Sequence, residues 1–453
     1  MKPMVSKILL GIIGVALLGM PAAAKEAVSP TPLTLSSAID RAIKGNPRIK
    51  AAAFRVDASA AQVTRAQSGF YPQLTLSGTY NRTNNPMWAF GNKLNQGIIR
   101  QTDFNPVNLN DPDPIVNLAT SVTVDWSLFD PAQTWIPWQQ SKNNRDAAGS
   151  MLERTRQEVI ARTAIGYAGV LLAEEQLTVV RTSLETARAH MKLVRTRFQS
   201  GFVVESDVLR AQVRIAELEQ ARLQVESELA IARASLNAVM GMPMDRRYDL
   251  VHSPDKGSKP EGDLKTWIQT ALSHRPDLAQ LGYREDISEN EVKKSRSAHL
   301  PSIHLMGTYE INTEDFDDRG ENYTLGAAMR LNLFSGMGIS AGTKAAEASL
   351  ASVRASQKAM ETAIRVETRR AFYRTQSAWN RIQVAQGAVA QAEEALRIVR
   401  NRYENGLFTI VDLLDSQQAL QQSRMNHFQA SHDYKTATAR LALAAGVIDA
   451  DFK

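Results

Sequence analysis

The sequence predicts a mixed α and β membrane protein, a tandem duplication of one unit that joins long coiled-coil helices to membrane strands. Three observations carry this. The two halves of the chain align on each other. Four segments alternate apolar and polar residues over a length that crosses a bilayer. Between them run helical patterns far longer than a compact domain uses.

The duplication comes first. Residues 35–80 overlie residues 264–309 without a gap, and 14 of the 46 positions are identical; about three are expected from ordinary residue frequencies. The matches include Leu35/Leu264, Pro47/Pro276, Pro72/Pro301 and Gly78-Thr79-Tyr80 over Gly307-Thr308-Tyr309. From about residue 118 the offset changes to 205, so that Gly241 meets Gly446. The first copy has a long connection, 81–117, where the second has a short one, 310–322. Matched Pro, Gly and Tyr are not what a shared Ala/Glu-rich helical composition would align. The expected units are 1–24 as a signal, 25–243 as the first repeat, 244–263 as a linker, 264–446 as the second repeat and 447–453 as a tail.

The amino-terminal segment has Lys2 and Lys7, an apolar run over 8–20, and the small residues Pro21-Ala22-Ala23-Ala24. That is the pattern of a secretory signal cleaved after Ala24. The run is too short for a membrane anchor, which needs about 20 apolar residues. The chain is therefore exported. It has no cysteine, which excludes disulfides, thiolate metal sites, cysteine nucleophiles and a lipid anchor on cysteine. Its formal net charge is +6. The basic residues are interleaved with acids, as in RTRQEVIAR, and read as solvated helix faces rather than a nucleic-acid surface.

Within the first copy, residues 35–69 read as helix, interrupted at Gly45-Asn46-Pro47 because Pro47 cannot continue the hydrogen-bond ladder. Residues 70–80 then alternate: Leu74, Leu76 and Tyr80 against Gln73, Thr75, Ser77 and Thr79. In 118–129, Val122, Val124, Trp126 and Leu128 alternate with Ser121, Thr123, Asp125 and Ser127. The twins of these strands are LPSIHLMGTY and 323–334, the latter with Leu325, Ala327, Met329, Leu331 and Leu333 on one face. Such lengths suit tilted transmembrane strands of about 9–11 residues. No segment after residue 24 is long and apolar enough for a transmembrane helix, so a place in a membrane would have to be through strands. Residues 132–199 form one helical pattern roughly 100 Å long. It breaks at Ser200-Gly201 and returns to Met240. On the return, Ala211, Ile215, Leu218, Val225, Leu229, Ala232, Leu236 and Val239 follow heptad spacing, with Arg222 at the skipped position.

Four strands cannot close a barrel, which needs about eight. Open edges in lipid would leave backbone groups unsatisfied at several kcal/mol each. Several chains must share one barrel: two give eight strands and three give twelve, and periodicity does not choose. The helices would continue the barrel as a ring around a tunnel.

NPRIKAAAF and RPDLAQLGY, YPQLTLSGTY and LPSIHLMGTY, WSLFD and LNLFSG, RFQSGFVVESDVLRAQ and RYENGLFTIVDLLDSQQAL together resemble the TolC family of outer-membrane efflux proteins, over essentially the whole mature chain. The resemblance implies a homotrimer with a twelve-stranded outer-membrane barrel and a long periplasmic helical tunnel. It implies a periplasmic adaptor and an inner-membrane pump or transporter as partners, in efflux or type I secretion. No cofactor, metal or nucleic acid is implied.

Nothing in the sequence signals catalysis. His299 and His304 lack a ligand set. The run Glu314-Asp315-Phe316-Asp317-Asp318 reads as a solvated turn, with a calcium site as the alternative. Gly336-Met337-Gly338 is a strand-to-helix turn. Asp412 and Asp415, three apart on one helix face, would form two carboxylate rings at the tunnel mouth of a symmetric trimer; an exposed helix start is the plainer reading. The resemblance places the periplasmic gate at these positions, with Asp207, Ser206 and Tyr403 at matching latch positions. Phe408 stands where some relatives have the Arg of a closing ion pair, so that pair cannot form here in the same way. Gly201-Phe202 and Gly406-Leu407 mark the hairpin tips, which in the family meet the adaptor. The rival reading is a soluble periplasmic coiled-coil scaffold with a small water-exposed sheet. The connection 81–117 carries Trp88, Phe90 and Phe104 among several prolines; it is expected to face the outside, and folding over the pore is one arrangement open to it.

Overall fold

The computed structural model describes residues 32–251, 259, 262–315 and 319–452. The expected signal 1–24 lies outside them, as do 252–258 and 260–261 of the expected linker and 316–318 of the acidic run. The elements are β1 (Pro32–Leu33), α1 (Leu35–Gly45), α2 (Pro47–Gln67), β2 (Gln73–Thr83), α3 (Pro86–Gln96), α4 (Pro106–Asn110), β3 (Ile115–Phe129), α5 (Trp135–Gln199) and α6 (Glu205–Met240). After β4 (Asp249–Leu250) the pattern returns with α7 (Leu264–His274), α8 (Pro276–Ser297), β5 (Ser302–Thr313), β6 (Arg319–Arg330), α9 (Gly338–Glu404) and α10 (Ile410–Ala445).

Pro47 splits the first helical region as its chemistry requires, and it becomes the first residue of α2. Asn46 bridges the break. Its side chain accepts from the Arg48 amide at 2.8 Å and donates to the Val239 carbonyl at 2.7 Å, fixing the end of α1 to the end of α6. There Gly241 is left-handed, with φ of 69°. A Cβ on it would lie 2.4 Å from the Gly45 carbonyl oxygen. The second repeat repeats the joint: Gly446 has φ of 73°, and a Cβ would lie 2.8 Å from the His274 carbonyl oxygen.

α5 and α9 have 65 and 67 residues, so each is roughly 100 Å long at 1.5 Å per residue. α6 packs back along α5, and α10 along α9. The heptad reading of α6 holds: Ala211, Leu218, Val225, Leu229 and Leu236 are buried, and Ile215, Ala232 and Val239 are half-buried. Arg222, at the skipped position, pairs with Glu226 at 3.2 Å.

The strands form one antiparallel sheet in the order β2-β3-β5-β6. In-register pairs such as Thr75↔Thr123, Ser77↔Ser121 and Thr308↔Thr324 share one polar face. Leu76↔Val122 and Tyr309↔Tyr323 lie on the other. Among the described residues β2 and β6 each have a free edge. β6 ends at Arg330, not at 334, so Leu331 and Leu333 are outside the ladder. Its last partner is Ser302, and Pro301 before it has no N–H to extend the pairing. The two strand-to-helix elbows match: Ala132 and Met337 both have φ of 67°.

The waist between sheet and coiled coil is held by buried polar groups. Arg275 pairs with Asp277 (2.6 Å) and Glu367 (2.5 Å) and donates to the Ala444 carbonyl at 3.3 Å. Arg154 donates to the Leu443 carbonyl at 2.9 Å, and Gln157 to that of Gly446 at 2.8 Å. The last carbonyls of α10 are thus satisfied by side chains from α5 and the α7–α8 joint. Burial alone would raise the Asp277 carboxyl, but the Arg275 hydrogen bond and charge hold it below the usual carboxylate range.

Candidate functional site at the hairpin tips

The two tips are built alike because the sequence places Gly at both. Gly201 and Gly406 are left-handed, with φ of 78° and 73°. The Gly201 amide donates to Phe198 O and the Phe202 amide to Arg197 O, each at 2.9 Å. The Gly406 amide donates to Tyr403 O and the Leu407 amide to Arg402 O. These are paired carbonyl caps of the kind that ends a helix at glycine. Each leaves a large apolar side chain standing out at the turn, Phe202 at 82% exposure and Leu407 at 73%.

Behind the turns an apolar cluster joins all four long helices. Val194, Leu396, Tyr403, Ile410 and Leu413 are buried in it, with Val203, Val208, Phe408 and Leu414 packed against them. Tyr403 is 4% exposed, and its hydroxyl makes no hydrogen bond among the described residues. The structure therefore brings Tyr403 into the tip core without bonding it to Ser206 or Asp207. Ser206 is exposed and Asp207 half-buried on the first turn of α6.

Asp412 and Asp415 are both exposed at the start of α10. Asp412 also caps that helix. Thr409 and Asp412 form a reciprocal capping box, with the Thr409 amide 2.9 Å and its hydroxyl 2.6 Å from Asp412 Oδ2. The Thr409 hydrogen bonds hold the Asp412 carboxyl below the usual range. Asp207 is its counterpart in the first repeat, but there the cap position is Val204 and no side chain caps α6.

Two residues absent from the sequence reading act here. The Arg197 guanidinium lies 4.9 Å from the centre of the Tyr403 ring, and Arg402 lies 5.3 Å from that of Phe408. They are duplication counterparts, each four residues before a tip glycine, so the alignment of repeats was the signal that could have found them. Arg402 occupies the neighbourhood of Phe408 with a positive charge, although Phe408 itself carries none.

The profile of the outer membrane efflux protein family matches residues 38–242 and 267–447. The chain belongs to the outer membrane efflux protein family. Its relatives include the proteases secretion protein PrtF of Dickeya chrysanthemi, 23% identical over 92% of this chain and 88% of that protein. The outer membrane protein TolC of Vibrio cholerae is 25% identical over 92% of this chain and 93% of that protein. Among solved structures, the CmeC outer membrane channel of Campylobacter jejuni superposes with a TM-score of 0.79 at 17% identity, covering 92% of this chain and 87% of that one. A family of this kind is a transport conduit and not an enzyme, and it places the chain in the outer membrane.

Proposed function

We propose that the chain is the outer-membrane exit duct of a tripartite efflux or type I secretion system. Substrates reach it from an inner-membrane pump and a periplasmic adaptor and leave through the barrel. The single observation that carries this is the sheet: four strands with one apolar face, and free edges at β2 and β6. In lipid such edges must be paired by other copies. Three copies make a twelve-stranded barrel, and their helices continue it into the periplasm.

The chain lacks cysteine, which makes the test direct. A cysteine pair placed across β2 of one copy and β6 of the next should cross-link detergent-extracted protein into a ladder ending at three. A ladder ending at two, or extraction without detergent, would overturn the trimer and favour a scaffold.

The same reading gives the tips two roles. Asp412 and Asp415, with Asp207, Ser206 and Tyr403 near them, form the periplasmic gate. Gly201-Phe202 and Gly406-Leu407 dock the adaptor. The exposed apolar residue at each glycine turn supports docking, and the two exposed carboxylates on the first turns of α10 support the gate. Opening is a spreading of the tip helices that moves the carboxylates apart. Transport through the duct is passive, and the energy comes from the inner-membrane partner.

A further inference from the structure

We infer that α3 closes the outer mouth of the duct, the apolar faces of three copies meeting on the pore axis. This rests on the trimeric-barrel reading and adds a second constriction at the opposite end from the tips.

The connection between β2 and β3 folds back onto the sheet. Pro86 starts α3 after Asn85, and Gly97, with φ of 72°, ends it. The helix buries Ala89, Asn92 and Gln96, which lie on one of its faces. Gln96 Nε2 donates to the Val116 carbonyl at 2.8 Å and to Asn117 Oδ1 at 2.9 Å. Asn117 donates on to Asn312 at 2.7 Å, and Asn312 to Glu310 at 2.5 Å. Asn92 reaches Asn81 at 3.3 Å, and Asn322 donates to the Asn95 carbonyl at 3.1 Å. Gly320 permits the approach, since a Cβ there would lie 2.0 Å from the Asn95 carbonyl oxygen.

These anchors decide which side α3 occupies. Asn81, Asn117, Glu310, Asn312, Gly320 and Asn322 alternate with the lipid-facing residues of their strands and share the polar face. They sit at the end of the sheet farthest from the long helices. α3 is therefore inside the barrel rim. A chain of buried amides, each donating to a partner although Gln96 Oε1 accepts from none among the described residues, holds a definite position rather than a floppy one. Lys93 braces the rest of the connection by pairing with Asp103 at 2.8 Å.

The opposite face of α3 carries Met87 and Leu94, both exposed in the single chain, with Trp88 exposed on its flank. Its occupant follows from size. Strands about 4.8 Å apart and tilted about 40° give a twelve-stranded barrel a backbone diameter of about 24 Å. A helix with its side chains is about 10 Å across. Three such helices, one against each chain's wall, leave no open lumen at that level. Their apolar faces meet each other and are removed from water.

The test uses the full chain in planar bilayers. One variant replaces residues 86–110 by a short Gly-Ser turn; another is Asn92→Ala with Gln96→Ala. Each is measured also with Asp412→Ala and Asp415→Ala, so that the tips do not mask the exit. Single-channel conductance should rise several-fold in both while the trimer persists in native gels. Met87→Cys, the sole cysteine, should cross-link between copies on mild oxidation and lower the conductance until a reductant is added. Trimers that do not cross-link at Met87→Cys, or that gain no conductance without α3, overturn the closure alone. A protein that inserts as a non-trimeric or non-conducting species overturns the channel reading beneath it.

Discussion

Arg197 and Tyr403 join the two repeats at the tips. The guanidinium stacks on the ring at 4.9 Å, and its nitrogens donate to the Tyr403 carbonyl at 3.3 Å and the Glu404 carbonyl at 3.2 Å. A cation at the carboxyl end of α9 also faces the negative end of that helix. The contact thus links α5 to α9 beside the carboxylates assigned to the gate, and spreading the tips must strain or break it.

Removing it should favour the open duct. A cation–π contact of this kind is worth about 1 kcal/mol, or roughly fivefold in an equilibrium constant. Arg197→Ala should raise the open fraction in single-channel records by about that factor. Arg197→Lys should restore it only in part, because an ammonium cannot stack as a planar guanidinium does. An unchanged open fraction in Arg197→Ala would show that the tips part elsewhere.

The two carboxylates proposed for the gate should be separable. Asp412 is engaged by Thr409, whereas Asp415 is outside the capping box. Asp415→Ala should raise conductance without loss of helix, and Asp412→Ala should raise it and also fray the start of α10, read by hydrogen exchange. The pH dependence follows from the sign of the shift. Asp412 has a depressed folded pKa, so its capping contribution is complete above the ordinary carboxylate value near 4. It is lost only as pH falls through the lower folded value. Between pH 5 and 8 the fraying of α10 should therefore be flat; a transition in that window would disprove the assignment of the cap to Asp412.

Much of this architecture was legible because the duplication repeats its turn residues. Gly201 and Gly406, Gly241 and Gly446, Pro47 and Pro276 stand where backbone chemistry leaves few alternatives, so their pairing located the joints. The heptads of α6 were legible because an isolated coiled-coil seam has only one apolar stripe to read. The end of β6 was not, since LNLF keeps alternating after its hydrogen-bond partner has stopped at Ser302. Nor was the anchoring of α3. Asn117 and Asn312 occupy polar-face positions where water contact and a buried amide partner demand the same residue types. At the tips the carboxylates were visible as a spacing, but Arg197 acts through a ring 206 positions away, a distance no local pattern spans.

The waist should be acid-sensitive and intolerant of losing its central cation. Arg275 is buried between Asp277, Glu367 and the Ala444 carbonyl. Arg275→Ala leaves Asp277 with only the more distant Arg154, at 3.8 Å, as its cation, and takes the Arg275 donor from the Ala444 carbonyl. Breaking such a pair costs about 3 kcal/mol, so thermal unfolding in detergent should shift down by several degrees. Because the Asp277 pKa is depressed in the folded chain, its contribution is present above the ordinary carboxylate range and lost as pH falls through the folded value. The Arg275→Ala penalty should shrink in the same acid range. A penalty independent of pH there would place its origin in packing.

The strands proposed to cross the membrane carry the last test. Leu76 is 71% exposed on the apolar face of β2, and Thr75 beside it is on the polar face in register with Thr123. Arginine on a lipid-facing strand position costs about 2–4 kcal/mol near the bilayer midplane, whereas a lumen position is wet. Leu76→Arg should therefore reduce assembled trimer in the outer membrane, and Thr75→Arg should leave it intact while changing ion selectivity. The pair differs by one residue in sequence and by the whole sheet in environment. Equal assembly of both variants would mean that this face of β2 does not meet lipid, and the sheet would then be the water-exposed one of a soluble scaffold.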